Sequence, residues 1–243
     1  MRNPRTLTTI LLLAACAAPP ATQHSPASDN ARCAATPAIE TPHATTPQFE
    51  LKATPAATLG TAPADSGLAV GETAPDATLA DITGGVHDLK ALYASGPTLV
   101  VFYRGGWCPF CNLQLHDYSE SRNEFERRGV QIVAISVDLP AEEAKTQARD
   151  GVPFLMLSDG KLAAHRAFRV VHVPSDAERR TLAGYGIALA AFSGESHGSY
   201  AIPAIFVIDR AGTVRFAHVD EDYKTRPSAA QMLGVVEHLF GAK

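Results

Sequence analysis

Two thiols separated by two residues, Cys108-Pro109-Phe110-Cys111, follow directly on the apolar run Thr98 to Tyr103 and the loop Arg104-Gly105-Gly106-Trp107. Where a strand gives way to a helix, a pair at this spacing closes into a small disulfide and reopens. The first thiol then lies at the helix N-terminus, where unpaired backbone N–H groups and the macrodipole favour thiolate over thiol. The chemistry implied is a reversible Cys108–Cys111 redox disulfide, which calls for no cofactor. A metal site is the competing use of such a pair, and a structural zinc needs a second pair of ligands. The remaining cysteines, Cys16 and Cys33, are far upstream, and no two of the nine histidines are spaced three to five residues apart, so no metal is expected.

The elements that must hold the pair are legible from residue 67 onward. Short apolar runs alternate with helical segments over 67–243, which argues for an α/β domain with a central sheet and crossover helices. Residues 98–103 read as a buried central strand. A single helix of about 20 residues is expected from Cys108 to Gly129, with Pro109 in its first turn, making the next apolar run, 130–137, a parallel neighbour. Residues 77–81 and 86–89 predict a hairpin, as do 204–209 and 213–219 around Arg210-Ala211-Gly212. Short helices are expected over 141–150 and 161–168 around a strand at 154–158. Residues 170–174 read as extended, 177–191 as a helix interrupted at Gly184 and Gly186, and Pro227 opens a last helix ending near Phe240.

With these residues in this order, the chain resembles the thioredoxin fold, and in particular the alkyl hydroperoxide reductase / thiol-specific antioxidant (peroxiredoxin-like) family. The matching segments are Val70 to Asp76, Phe102-Tyr103, the CPFC motif, Val133 to Asp138, Leu157 to Asp159 and Ile202 to Asp209. In the family register the slot of the peroxide-attacking cysteine is Cys111. Its two usual helpers differ: Arg104 stands in the proline slot and Cys108 in that of the hydroxyl. The strand arginine of the family is Pro203 here. Those departures are similar to the dithiol oxidoreductases of the same fold, whose Trp-Cys-x-x-Cys matches Trp107 to Cys111. Their cis proline matches Pro203, so the resemblance implies a substrate strand pairing beside Trp107, Ile202 and Pro203; a trans Pro203 opening an edge strand is the alternative.

Two enzyme readings follow. In the leading one, a thiolate reduces hydrogen peroxide or an organic hydroperoxide, its partner closes the disulfide, and a thioredoxin-like dithiol reopens it. In the other, Cys108 exchanges with protein disulfides and Cys111 releases the mixed disulfide. Close to Arg104 and the helix N-terminus, Cys108 is expected to be the more exposed and more acidic thiol, with Cys111 more buried. Register names Cys111 as the attacker and exposure names Cys108, so both assignments stand. A non-catalytic tethered module is the third reading, and it would need a broken motif. His116 reads as a surface residue; His172, His197 and His218 are weaker candidates for a pocket.

Upstream, Arg2 and Arg5 precede the apolar stretch 7–15, too short to span a bilayer and suited to an export signal over 1–15. Its ending, Leu13-Ala14-Ala15-Cys16, resembles a bacterial lipobox, which implies a lipid on Cys16, a membrane partner through that anchor, and a place in the cell envelope. An ordinary cleaved signal with an incidental Cys16 is the alternative. Residues 16–66, rich in Ala, Pro, Thr and Ser, read as a disordered tether. A net charge of −4 without a basic run longer than a pair leaves no footprint for nucleic acid.

Overall fold

The computed structural model describes residues 49–241, so the export signal, Cys16, Cys33 and the tether as far as residue 48 lie outside the described residues. Eleven strands run in chain order: β1 (Lys52–Ala53), β2 (Thr78–Asp81), β3 (Val86–Asp88), β4 (Thr98–Phe102), β5 (Gln131–Ser136), β6 (Leu155–Ser158), β7 (Val171–His172), β8 (Tyr200–Ala201), β9 (Ala204–Ile208), β10 (Val214–Val219) and β11 (Thr225–Arg226). Eight helices join them: α1 (Leu89–Ser95), α2 (Pro109–Glu120), α3 (Arg122–Arg127), α4 (Pro140–Asp150), α5 (Ala163–Ala167), α6 (Asp176–Gly184), α7 (Leu189–Ser193) and α8 (Ala229–Phe240). None of the described helices is long and apolar enough to cross a membrane.

Seven strands form one mixed sheet in the order β10-β9-β4-β5-β6-β2-β3, with β4 parallel to β5, β5 parallel to β6, and β9 antiparallel to β4. The period-2 alternation of side chains divides the core into two layers. Leu99, Val101 and Tyr103 of the β4 segment, Ile132 and Ala134 of β5, and Ile205 and Val207 of β9 join one cluster, which also takes Leu115, Phe125, Met232 and both motif cysteines. Val100, Phe102, Val133, Ile135, Phe206 and Ile208 face the other, with Tyr93 and Phe168. Every residue of β4 is buried, and each large apolar side chain fully withdrawn from water contributes about 1.5–3 kcal/mol. The centre of the sheet, where the motif begins, is therefore a stiff platform.

Two expectations change. The single helix expected over 108–129 is two, because Ser121, at φ −95° and ψ 1°, ends α2 before α3 begins; Gly129, at φ 70°, closes the pair. The tether expected to reach residue 66 gives way to folded chain well before that point. Lys52–Ala53 pairs in parallel with Thr225–Arg226, Thr54 N–H donates to the Arg226 carbonyl at 2.9 Å, and Gln231 Nε2 donates to the Thr54 carbonyl at 2.6 Å. Further along, Val219 N–H donates to the Thr61 carbonyl at 2.9 Å. This segment is held by partners more than a hundred residues away in sequence, so its own composition carries no trace of them.

Candidate active site

The motif hangs from the end of β4 by Arg104-Gly105-Gly106-Trp107. Gly105 has φ +140°, and a Cβ there would run into Trp107 Nε1 and the Asp138 carboxylate; a Cβ on Gly106 would strike the Thr146 hydroxyl. The loop is then tied down from three sides. Gly106 N–H donates to Asp138 Oδ2 at 2.7 Å, and its carbonyl accepts from Asn112 Nδ2 and Arg149 Nη2, each at 3.0 Å. Helix α2 opens with Pro109 at its first position and Cys108 as its N-cap residue, and no side-chain cap bond forms. By contrast α6 and α8 begin with full capping boxes, Ser175 with Glu178 and Ser228 with Gln231. An oxygen cap is worth about 1 kcal/mol; α2 forgoes it and sets a sulfur at its positive end.

Both thiols are free and buried, Cys108 at 1% and Cys111 at 0% exposure, so Cys111 is buried as expected while Cys108 is scarcely more exposed than it. Their surroundings nonetheless differ sharply. Cys108 lines a cleft of about 830 Å³ together with Arg104, Trp107, Phe110, Tyr185, Tyr200 and Tyr223, whereas Cys111 does not line it. The Arg104 guanidinium donates from Nη1 toward Cys108 Sγ at 3.9 Å and from Nη2 to Tyr200 Oη at 3.1 Å. Three rings hold it there: its central carbon is 4.2 Å from the centre of Tyr223 and 4.8 Å from those of Trp107 and Tyr200. Each such contact is worth about 0.5–2 kcal/mol, more where water is excluded. Burial pushes the Cys108 thiol up, but the hydrogen bond from Cys111, the charges of Arg104 and Arg226 and the Cys111 N–H outweigh it and bring Cys108 down to about 6.

Cys111 behaves oppositely. Burial, with the hydrogen bond and charge of Cys108, pushes it well above the ordinary thiol range, while Arg226, whose Nη2 donates to Cys111 Sγ at 3.5 Å, pulls the other way. Behind it lie two buried carboxyls. Burial pushes Asp138 up to about 7 against the Gly106 hydrogen bond, and burial with the Asp138 charge pushes Glu143 up to about 8. Glu143 accepts hydrogen bonds from Tyr103 Oη and, at 2.7 Å, from Ser136 Oγ.

The structure thus brings Cys108, Cys111, Arg104 and Trp107 together. Ile202 and Pro203 line a smaller hollow of about 290 Å³ that shares Arg104, Tyr200 and Tyr223 with the cleft but not Cys108. Their backbone is already engaged: Ile202 N–H donates to the Val170 carbonyl at 2.8 Å, and the Pro203 carbonyl accepts from Asp220 N–H at 3.1 Å. His116 is exposed. His172 lies beside Tyr200 in the hollow, His197 bonds the Gly160 carbonyl at 2.8 Å, and His218 is buried away from the cleft. Sequence reasoning missed Tyr200, Tyr223 and Arg226, for which no local signal exists. Asp138 was findable as an acid just past the carboxyl end of a buried parallel strand, where ligand crevices form in open α/β sheets.

With the geometry in place, comparison decides the family. The AhpC/TSA family pattern matches residues 70–217, most of the folded chain. This chain belongs to the AhpC/TSA family. Among the relatives of this AhpC/TSA protein, alkyl hydroperoxide reductase E of Mycobacterium bovis is 27% identical over 161 residues, covering 65% of this chain and 90% of the relative. Thiol-disulfide oxidoreductase ResA of Geobacillus kaustophilus is 29% identical over 109 residues, covering 44% of this chain and 62% of ResA, so the match spans less than two thirds of that protein. Reduced Prx3 of Vibrio vulnificus, solved in complex with hydrogen peroxide, superposes with a TM-score of 0.58 at 21% identity over 70% of this chain and 99% of its own, a likeness of fold. The fold is therefore peroxiredoxin- and thioredoxin-like, as the sequence led one to expect.

Proposed function

We propose that this protein is a thiol-dependent peroxidase in which Cys108 is the attacking thiolate and Cys111 the resolving thiol. The observation that carries the reading is the acidified Cys108 at the wall of the cleft, with the caged Arg104 guanidinium 3.9 Å from its sulfur. Cys108 thiolate attacks one peroxide oxygen, the O–O bond breaks, and the alkoxide or hydroxide released takes up a proton, leaving Cys108 as a sulfenic acid. Arg104 and the Tyr200 hydroxyl sit where a fixed cation and a donor steady the charge developing on that oxygen. Cys111 then attacks the Cys108 sulfur, expelling water and closing the disulfide, and an external dithiol of thioredoxin type restores both thiols. The attacker is thereby one helical turn before the family slot, chosen by acidity and by access to the cleft.

Exchange with protein disulfides is the second reading, favoured by Trp107-Cys-x-x-Cys and the similarity to ResA. The bond between Ile202 N–H and the Val170 carbonyl weighs against it, since that amide is one a substrate strand would need. Rapid mixing of reduced protein with hydrogen peroxide and with cumene hydroperoxide, beside reduction of a protein disulfide, separates the two. Peroxide reduction faster than disulfide reduction supports the first, and the reverse order overturns it.

For residues outside the described part we propose export to the cell envelope and a lipid anchor on Cys16. Replacing Cys16 by Ser leaves the apolar signal intact and should release the protein from membranes; unchanged partitioning would overturn the anchor.

A further inference from the structure

Beyond its share in lowering Cys108, one buried cation has no part in the steps above. Arg226 is 1% exposed; its Nη2–H donates to Cys111 Sγ at 3.5 Å and its Nε–H to the Tyr223 carbonyl at 2.9 Å. Among the described residues it makes no ion pair with a carboxylate, and a guanidinium withdrawn from water in this way calls for a negative partner. The nearest group able to become one is the sulfur it already touches. We infer that Arg226 is a catalytic residue of the second chemical step, the counter-ion of the Cys111 thiolate once Cys108 has been oxidised.

Oxidation of Cys108 changes the charge that Cys111 faces. In the reduced site Cys108 carries the charge, and burial, reinforced by the hydrogen bond and like charge of Cys108, keeps the proton on Cys111. When Cys108 becomes a neutral sulfenic acid or mixed disulfide, that repulsion vanishes, and Arg226 remains to offset the burial. The groups facing Cys111 are then Arg226 from β11, the side chain and backbone N–H of Arg104 from the loop before α2, and Asp138 from the loop after β5, which together with burial opposes. Resolution is thereby ordered: the second thiol is activated by oxidation of the first. As the S–S bond forms, the S–O bond of Cys108 breaks, and the Cys111 proton leaves with the departing oxygen as water.

The inference rests on Cys108 attacking first, and not on peroxide being the oxidant. Dithiodipyridine is therefore the probe. Cys108 attack releases one thiopyridone and leaves a mixed disulfide; Cys111 attack on the Cys108 sulfur releases the second, which carries the proton away. Arg226→Met should slow the second phase roughly ten- to a hundredfold and the first by no more than about threefold, with Arg226→Lys recovering most of the second. Equal slowing of both phases, or an unchanged second phase, overturns the inference. Should Arg226→Met not fold, the wild-type pH profile decides: a second phase whose midpoint lies below the ordinary thiol range supports it, and one above that range overturns it. A first phase that survives Cys108→Ser instead refutes the assignment of the attacker.

Discussion

The two sides of the CPFC turn treat negative charge in opposite ways. On the cleft side, Cys108 has a helix N-terminus, a guanidinium held by three aromatic rings and an opening to solvent through the cleft, and it is acidic. On the interior side, Cys111, Asp138 and Glu143 lie within the packed layer between β5, α2 and α4, and all three hold their protons above the usual range. Only two residues of sequence separate the thiols. The difference shows that thiol acidity here is set by which cations and donors reach each sulfur, since burial is nearly the same for both.

The strongest way to break this contrast is to remove each thiol in turn. Cys108→Ser should lower the peroxide reaction by about a thousandfold or more, because a serine hydroxyl at this site is not ionised. Cys111→Ser should keep the first step and halt at the sulfenic acid. Peroxide consumption in single-turnover mixing checks both, and equal losses would erase the contrast.

Next in size is Arg104→Met. Losing the guanidinium should move Cys108 from about 6 toward the ordinary thiol range and slow peroxide attack. At pH 6 to 7 the slowing should be roughly ten- to a hundredfold. Thiolate absorbance against pH reads the first change and stopped flow the second. In the wild type, the rate should level off above about pH 7 and fall as pH drops through about 6, because protonation removes the nucleophile.

The interior side answers through stability. Glu143 and Asp138, raised to about 8 and about 7, bind protons in the native state that the unfolded chain has already released above about pH 4. Their contribution is therefore complete below about pH 4 and is lost as pH rises through 7 to 8. Glu143→Gln, which cannot ionise, should flatten the decline in thermal stability between pH 5 and 8, gaining roughly 1–2 kcal/mol at the alkaline end relative to the acid end. Thermal unfolding across that range measures it.

Smallest of all is Phe49→Ala at the rim of the cleft. Phe49 meets Phe110 edge-on at 5.5 Å and is 49% exposed, so its loss should cost under about 1 kcal/mol and leave the Cys108 ionisation where it was.

What the sequence made legible follows the range of the interactions. Strands β4, β5 and β9 announce themselves as predominantly apolar runs between turn residues, and Pro109 and Gly129 mark where the helical stretch starts and stops. The thiol pair and Arg104 lie within that local grammar, so the core of the site was readable. Tyr200, Tyr223 and Arg226 reach it from strands and loops about a hundred residues later, and β1 finds β11 across nearly the whole folded chain. A residue whose role depends on a contact of that span looks like any other Tyr or Arg in its own window. The burial of Cys108 has the same origin: Tyr200 and Tyr223 line the cleft beside a thiol that an isolated helix end would leave open.

The most direct measurement is the site of first oxidation. Reduced Cys111→Ser protein is exposed to one equivalent of hydrogen peroxide, trapped with a sulfenic-acid reagent and mapped by peptide mass, with Cys108→Ser treated in parallel. The adduct is expected on Cys108 in the first variant, forming at a rate that falls below about pH 6, with almost none on Cys111 in the second. An adduct forming readily on Cys111 in Cys108→Ser, with Cys108 inert in Cys111→Ser, would contradict this expectation.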